Sequence, residues 1–253
     1  MTTKKIVLVT GCTAGLGYQL AKNVCLYDDK ADLILIGRDK NKLNILQEDL
    51  AFTHNKITAI EYDFSSVENI SKVQEDVEDI VKGGDYNEII LFNNASTIFP
   101  IELIHNLEEP DISKNISVNI TMPFALSSFV LKLSKENSLD PSIINISSGV
   151  SKKPIEGWSL YCSTKAALNM LTYCLAEEEG NLYTIAINPG PLDTEMQKNI
   201  RDADTDKSPI SQQFRIMKAE GKLKSPEIVA KRIIVMSFSK EHQSGNFVDF
   251  NLL

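Results

Sequence analysis

Ile6-Val7-Leu8-Val9-Thr10-Gly11-Cys12-Thr13-Ala14-Gly15-Leu16-Gly17 is the stretch that decides the fold. A short unbroken apolar run predicts a strand buried on both faces. It stops at a segment carrying three glycines, and helix-compatible apolar spacing takes over from Leu16 to Tyr27. Each glycine has its own reason to be there. Gly11 permits a tight turn, Gly15 lets backbone approach a pyrophosphate, and Gly17 lets the helix lie close to the strand. The helix start at Ala14-Gly15-Leu16 offers free N–H groups and a partial positive charge, which suit phosphate. Glycines at a strand–helix junction also serve packing alone, and Gly-x-x-x-Gly-x-Gly differs from the commonest dinucleotide fingerprint.

Working outward, the same alternation continues almost to the end. Strand-like runs stand at Leu33–Ile36, Ile57–Tyr62, Ile89–Phe92, Ile143–Ile146 and Tyr183–Ile187. Between them, helical spacing is carried by Leu43, Leu46 and Leu50, by Val67 to Val81, by Ile116 to Leu133 and by Leu160 to Glu178. Pro123 predicts a turn or kink inside the third of these helices. Apolar strands separated by amphipathic helices predict one α/β domain: a doubly wound parallel sheet covered on both faces. From about 191 to 225 the rhythm breaks into a polar segment, which reads as a flap over a ligand site. Ser225-Pro226-Glu227 then predicts a capped helix start.

Composition narrows the function classes. The chain has 253 residues, 43% of them hydrophobic and 24% charged, so a packed core is affordable and disorder is excluded. The formal charge is −8, with no stripe of Lys and Arg, which predicts no nucleic-acid partner. No apolar run approaches the roughly 20 residues a bilayer needs, so no membrane span is expected. The four cysteines (Cys12, Cys25, Cys162, Cys174) have no metal-ligand spacing, and Met1 to Lys5 lead straight into the first strand without a signal-peptide core. Together these predict reduced thiols and a cytoplasmic location. His54, His105 and His242 lie in separate segments, so no metal site is expected.

Two further constellations carry chemistry. Gly37-Arg38-Asp39 ends the second strand run, and a guanidinium there suits a 2′-phosphate, favouring NADP over NAD. Asp63, after the third, is placed to accept from an adenine amino group or to cap a helix. The second constellation is Ser148, Tyr161 and Lys165. Tyr161 and Lys165 are four apart on a predicted helix and share a face. A phenol with an ordinary pKa near 10 is a poor acid at neutral pH, and an ammonium beside it lowers that value. Such a tyrosine can protonate a carbonyl oxygen as hydride reaches the carbon, while Ser148 holds the same oxygen.

In this order, these motifs resemble the short-chain dehydrogenase/reductase family along nearly the whole chain. Thr10–Gly17 matches its TGxxxGxG, and Asn93-Asn94-Ala95-Ser96 resembles its NNAG, with Ser96 in place of glycine. Asn119 matches the family's catalytic asparagine, and Ser148, Tyr161 and Lys165 the other catalytic positions. Asn188-Pro189-Gly190, with Leu192, Thr194 and Met196 after it, matches the segment that faces the nicotinamide. The resemblance implies about seven strands and an NADPH/NADP site. That site is formed by Gly11, Thr13, Ala14, Gly15, Leu16, Gly17, Arg38, Asp63, Asn93, Ala95, Tyr161, Lys165, Pro189, Gly190, Leu192, Thr194 and Met196. It also implies a homodimer or tetramer through the helices at 116–133 and 160–178. Ala14 departs from the many NADP-dependent members with a basic residue there, so the NADP preference rests on Arg38.

The second half resembles one branch of the family, the sepiapterin reductases, at 157–162, 189–197 and 244–250. That likeness implies reduction of a pterin side-chain ketone, as in tetrahydrobiopterin-type biosynthesis. Asp249 would then bind the ring through two parallel hydrogen bonds, and Trp158, Gly190 and Met196 would wall the pocket. Bacterial benzil reductases share much of the same stretch and imply an aromatic diketone instead. A non-catalytic NADP-binding regulator is the alternative from another class, disfavoured by the intact Asn119, Ser148, Tyr161 and Lys165 set.

Overall fold

The computed structural model describes residues 4–252; Met1 to Thr3 and Leu253 lie outside the described residues. Its strands are β1 Lys5–Thr10, β2 Asp32–Gly37, β3 Ile57–Glu61, β4 Glu88–Asn93, β5 Asp140–Ile146, β6 Tyr183–Asn188 and β7 Asn246–Asp249. All pair in parallel, in the order β3-β2-β1-β4-β5-β6-β7. The order reverses between β1 and β4, and a crevice opens outside the carboxyl ends of the strands at such a switch point.

Two cores follow from the period-two alternation of the strands. Val7, Val9, Leu33 and Leu35 face one layer, and Ile6, Leu8, Ile34 and Ile36 the other. Helices α1 (Gly15–Tyr27), α2 (Lys40–Leu50) and α9 (Pro226–Phe238) cover the first. Helices α3 (Ile70–Lys82), α5 (Met122–Asn137) and α6 (Ser159–Glu178) cover the second. The predicted parallel doubly wound sheet is therefore the observed one.

Three local features sharpen or correct the expectations. The turn expected near Pro123 is a π turn, and the helix continues through it. α4 (Glu109–Ile116) runs without interruption into α5 through a π turn at Ser117–Thr121. A proline at 123 has no N–H for the Asn119 carbonyl four residues back, and the wider turn just before it absorbs that loss. The continuous helix at 109–137 is long and apolar enough by composition to cross a bilayer, and its Met122, Leu126, Val130 and Leu133 are buried against the sheet. Second, the polar 191–225 segment holds two helices, α7 (Glu195–Asp202) and α8 (Ile210–Ala219). It is drawn together at its neck, where Lys224 N–H donates to Pro191 O (2.9 Å) and Asp193 N–H to Lys224 O (3.0 Å). Third, α9 does begin at Pro226, but the Ser225 side chain makes no capping hydrogen bond.

Candidate active site

The site starts with backbone. Gly11 and Gly15 hold φ of +64° and +53°, a region that L side chains avoid. A Cβ on Gly11 would come within 2.7 Å of the Ala95 Cα, and one on Gly17 would run into the Gly11 carbonyl and the Asn94 amide. The chain around Asn94 is locked to the same turn. Thr10 Oγ1 donates to Phe92 O (3.0 Å) and accepts from Asn94 N and Ala95 N (3.0 Å each), while Asn94 Nδ2 donates to Thr10 O and Gly11 O (2.9 and 3.1 Å). The carboxyl ends of β1 and β4 thus form one rigid floor. Asn93 does not belong to it. Its side chain turns into the core, donating to Asn145 Oδ1 (2.8 Å) and Ser127 Oγ (3.2 Å). Strand alternation is the reason, since Asn93 and Asn94 must face opposite sides.

Thr13 abuts Gly37 at the end of β2, where a Cβ would meet its methyl at 2.9 Å. Arg38 follows, exposed at the rim. Asp63 is exposed after β3, its carboxylate accepting from Ser65 N–H (2.9 Å). Across the crevice, Thr194 caps α7 (Gln197 N–H to Oγ1, 3.3 Å) with its methyl against Gly15. Pro189 and Leu192 are buried beneath that crossing, and Gly190 turns the chain at φ +79°. The amino end of α1 carries no side-chain cap and no acidic residue in its first turn.

Side chains complete the centre. Tyr161 is 7% exposed, and the Ser96 and Ser148 hydroxyls act to lower its pKa against the larger opposing effect of burial. Ser148 extends from β5 and caps the short 149–152 turn. Its neighbour Ser147 points inward, donating to Asn169 Oδ1 at 2.5 Å, which separates the two serines by role. Lys165 lies one helical turn beyond Tyr161, its Nζ donating to Ile146 O (2.8 Å) and 5.7 Å from the phenol ring centre. Asn119 projects from the π turn. Its Oδ1 accepts from Ser96 Oγ–H (3.0 Å) and Thr97 N–H (2.9 Å), and its Nδ2 donates to Thr97 O (2.8 Å) and Asn115 Oδ1 (2.9 Å). Asn115, absent from the sequence reading, is tied down in turn through Phe99 O (2.6 Å). The one available signal was an asparagine pair four apart.

The family model for short chain dehydrogenases matches residues 5–205. This chain is a short-chain dehydrogenase/reductase. It is 34% identical to the benzil reductase ((S)-benzoin forming) of Bacillus cereus, over 96% of this chain and 98% of the relative. It is 28% identical to the sepiapterin reductase of Meriones unguiculatus, over 97% and 95%. Among solved structures, the KRED1-Pglu enzyme superposes with a TM-score of 0.84 at 26% identity, over 97% of this chain and 100% of the other. A yeast short-chain dehydrogenase/reductase (Saccharomyces cerevisiae) gives 0.86 at 24%, over 98% and 96%.

Reductases of this family use a nicotinamide dinucleotide, and the residues here fit one. The two left-handed glycines and the uncapped α1 terminus form an anion cradle at the switch point. Lys165 is the second indication. It is buried with no acidic partner among the described residues, its Nζ donating to a neutral carbonyl and lying over the Tyr161 ring, and burial holds its pKa down to about 7. Lys165 is not among the groups that shift the Tyr161 pKa. Burial pushes the phenol up to about 12, partly offset by Ser96 and Ser148. Burial thus disfavours the charged form of both groups, raising the phenol and lowering the ammonium.

The substrate side departs further from the sequence reading. Trp158 does not stand open as a pocket wall. It is 3% exposed, stacks on Phe214 of α8 (6.0 Å, 4°), meets Tyr161 edge-on (6.1 Å) and donates from Nε1 to Ser208 Oγ (2.9 Å). Met196 packs half-buried on the same cluster of Ile98, Trp158, Tyr161 and Ile200. Asp249, at the end of β7, has one oxygen already taken. Its Oδ1 accepts from Asn188 Nδ2 (2.8 Å) and Asn251 N–H (2.9 Å), which leaves Oδ2 as the oxygen without a hydrogen bond among the described residues.

Proposed function

We propose that this short-chain dehydrogenase/reductase is an NADPH-dependent carbonyl reductase, reducing one ketone of an aromatic α-diketone to a secondary alcohol. The observation that supports the substrate class is the apolar cluster that contains Tyr161 itself, with Ile98, Trp158 and Ile200 buried in it and Met196 and Phe214 packed against it. A flat, poorly hydrated carbonyl compound gains most beside such apolar surroundings. The likeness to the Bacillus benzil reductase supports the same reading.

Gly11 to Gly17 would hold the pyrophosphate, Arg38 the 2′-phosphate and Lys165 the nicotinamide-side ribose. When bound, the dinucleotide supplies the hydride. The chain's own residues do the rest. Ser148 donates to the carbonyl oxygen and fixes its direction. Tyr161 gives that oxygen its proton. A bound anionic cofactor restores a counter-charge to Lys165, which then favours phenolate after the transfer. Asn119 holds the Thr97 backbone and the Ser96 hydroxyl in place.

A pterin side-chain ketone is the second reading, favoured by Asp249 Oδ2, which has no hydrogen bond among the described residues. The assembly partner we infer is a second copy of this chain, covering Phe124 on α5 and Met170, Tyr173 and Cys174 on α6, all exposed. A cytoplasmic location is part of the same proposal.

The deciding measurement is NADPH consumption with benzil, diacetyl and sepiapterin. Turnover of benzil above sepiapterin supports the diketone assignment, and the reverse order replaces it with the pterin. Tight NADPH binding without turnover of any carbonyl would make the chain a cofactor-binding regulator.

A further inference from the structure

We propose that Asn169 is a positioning residue: it clamps the chain on both sides of Ser148 and so sets where that hydroxyl stands relative to the helix carrying Tyr161 and Lys165. Tyr161, Lys165 and Asn169 follow one another at a spacing of four along α6 and share one face. Asn169, 5% exposed, is the third member of that row. Its amide is engaged at both ends. Oδ1 accepts from Ser147 Oγ–H (2.5 Å), and Nδ2 donates to Ser151 Oγ (2.8 Å). Ser151 Oγ–H then donates to the Ser148 carbonyl (2.6 Å), which also accepts from Ser151 N–H (3.1 Å). The circuit leaves the chain one residue before Ser148 and returns on Ser148 itself.

The segment needs such a clamp. Ser147 N–H still donates to Ile187 O on β6 (2.7 Å), but after Ser148 the chain leaves the sheet for a short turn. Within that turn the Val150 N–H lies 3.4 Å from Ser148 Oγ, a long contact. The other polar ties from α6 act earlier. Lys165 Nζ donates to Ile146 O (2.8 Å), and Thr172 Oγ1 accepts from Asn145 Nδ2 (2.9 Å), both within β5. The Asn169 bond reaches past Ser148. Gly149 leaves the turn little room beside Asn188, where a Cβ would come within 2.9 Å of Nδ2. Stability alone does not explain a buried polar pair here, since an apolar pair of the same shape serves a core nearly as well. What an amide adds is direction. It fixes positions 147 and 151 against the helix that carries Tyr161, which is the alignment a shared carbonyl oxygen requires.

The inference rests on the reductase reading of Ser148 and Tyr161, and one arm of its test needs no turnover. Hydrogen exchange is followed on the full chain without cofactor, as wild type and Asn169→Ala. Exchange at the Val150 and Ser151 amides should speed up by about tenfold in the variant, the scale of one lost hydrogen bond, with the β5 amides before Ile146 unchanged. The kinetic arm is a double-mutant cycle with benzil and NADPH. Asn169→Ala should lower kcat by about 10–100-fold, with KM within about threefold. In a Ser148→Ala background the same change should cost less than about twofold, because a residue acting through Ser148 has nothing left to position. A merely structural amide would cost the same in both backgrounds. Should Asn169→Ala fail to fold, Ser151→Ala cuts the outer bond alone at a half-buried position, and Ser151→Thr keeps the hydroxyl. The alanine should follow the Asn169 variant in exchange and kcat, and the threonine should stay near wild type. Unchanged exchange at 150 and 151, equal costs in both backgrounds, or a threonine that behaves like alanine would overturn the proposal. A wild-type chain that reduces no carbonyl would remove the reductase reading, and the exchange arm would still decide the clamp.

Discussion

The two sides of the crevice are made of different material. On the β1–α1 side the shape is backbone: left-handed glycines, an uncapped helix end and a β4 loop pinned by Thr10 and Asn94. On the α7–α8 side the shape is side chains meeting across long sequence separations, such as Trp158 with Ser208 and Phe214, or Lys207 with Glu102 (2.5 Å). Backbone sterics admit one residue type, so that side tolerates little change. Apolar packing admits many residues of similar volume, so the other side can be retuned for a new carbonyl. Tyr161 sits where the two meet, and replacing it gives the largest effect. Tyr161→Phe should lower carbonyl turnover by about 10²–10⁴-fold. NADPH affinity, measured by fluorescence quenching, should stay within about threefold. Loss of binding in step with activity would place the tyrosine's role on the cofactor side only.

A matched pair sharpens the contrast. Gly17→Ala forces a methyl into the Gly11 carbonyl and should destabilise the fold by about 1–3 kcal/mol, with NADPH binding lost alongside. Phe214→Ala removes a ring from the outer face of Trp158. It should raise KM for an aromatic diketone several-fold while leaving NADPH affinity alone. Thermal melts with and without NADPH separate the two. Equal losses of cofactor affinity would erase the distinction between the sides. At the rim, Arg38→Ala should shift the NADPH-to-NADH preference by about tenfold, the scale of one charge-assisted phosphate contact. A preserved ratio would move phosphate selectivity to another residue.

The same division explains what was legible in the sequence. Gly11, Gly15 and Gly17 announced a backbone requirement, and each strand's apolar run announced burial on both faces. Tyr161 and Lys165 could be paired because helical periodicity alone brings them to one face. The helices of the 191–225 segment were harder. Their inward faces are only Met196 with Ile200 and Ile210 with Phe214, two apolar residues each at a spacing of four, submerged in charge. Trp158 looked like an open wall because nothing local says that Phe214 and Ser208 will cover it. Asn115 and the Ser96 hydroxyl were invisible for a related reason, since their meaning lies in partners that only the π turn at 117–121 brings within reach. Asp249 shows the converse: its position was readable, its occupied oxygen was not.

The smallest effect tests whether Lys165 is held for function against stability. Its folded pKa, about 7, lies far below its ordinary value of 10.5 because burial disfavours the charge. Below about pH 7 both folded and unfolded chains carry the proton. Between 7 and 10.5 the unfolded chain still binds it and the folded chain has released it, so this group makes stability rise with pH across that window. At neutral pH, therefore, the lysine costs stability. Lys165→Met should abolish turnover yet raise the ligand-free melting temperature at pH 7 by about 2–4 °C, the response of a chain this size to about 1 kcal/mol. The gap between variant and wild type should narrow as pH climbs toward 10. Saturating NADPH should narrow it as well, because only the wild-type lysine gains from an anionic partner. A methionine variant that melts lower at pH 7 would mean that the Lys165 hydrogen bond to Ile146 outweighs the burial of its charge, and that this corner of the site is stabilised by the residue that serves it.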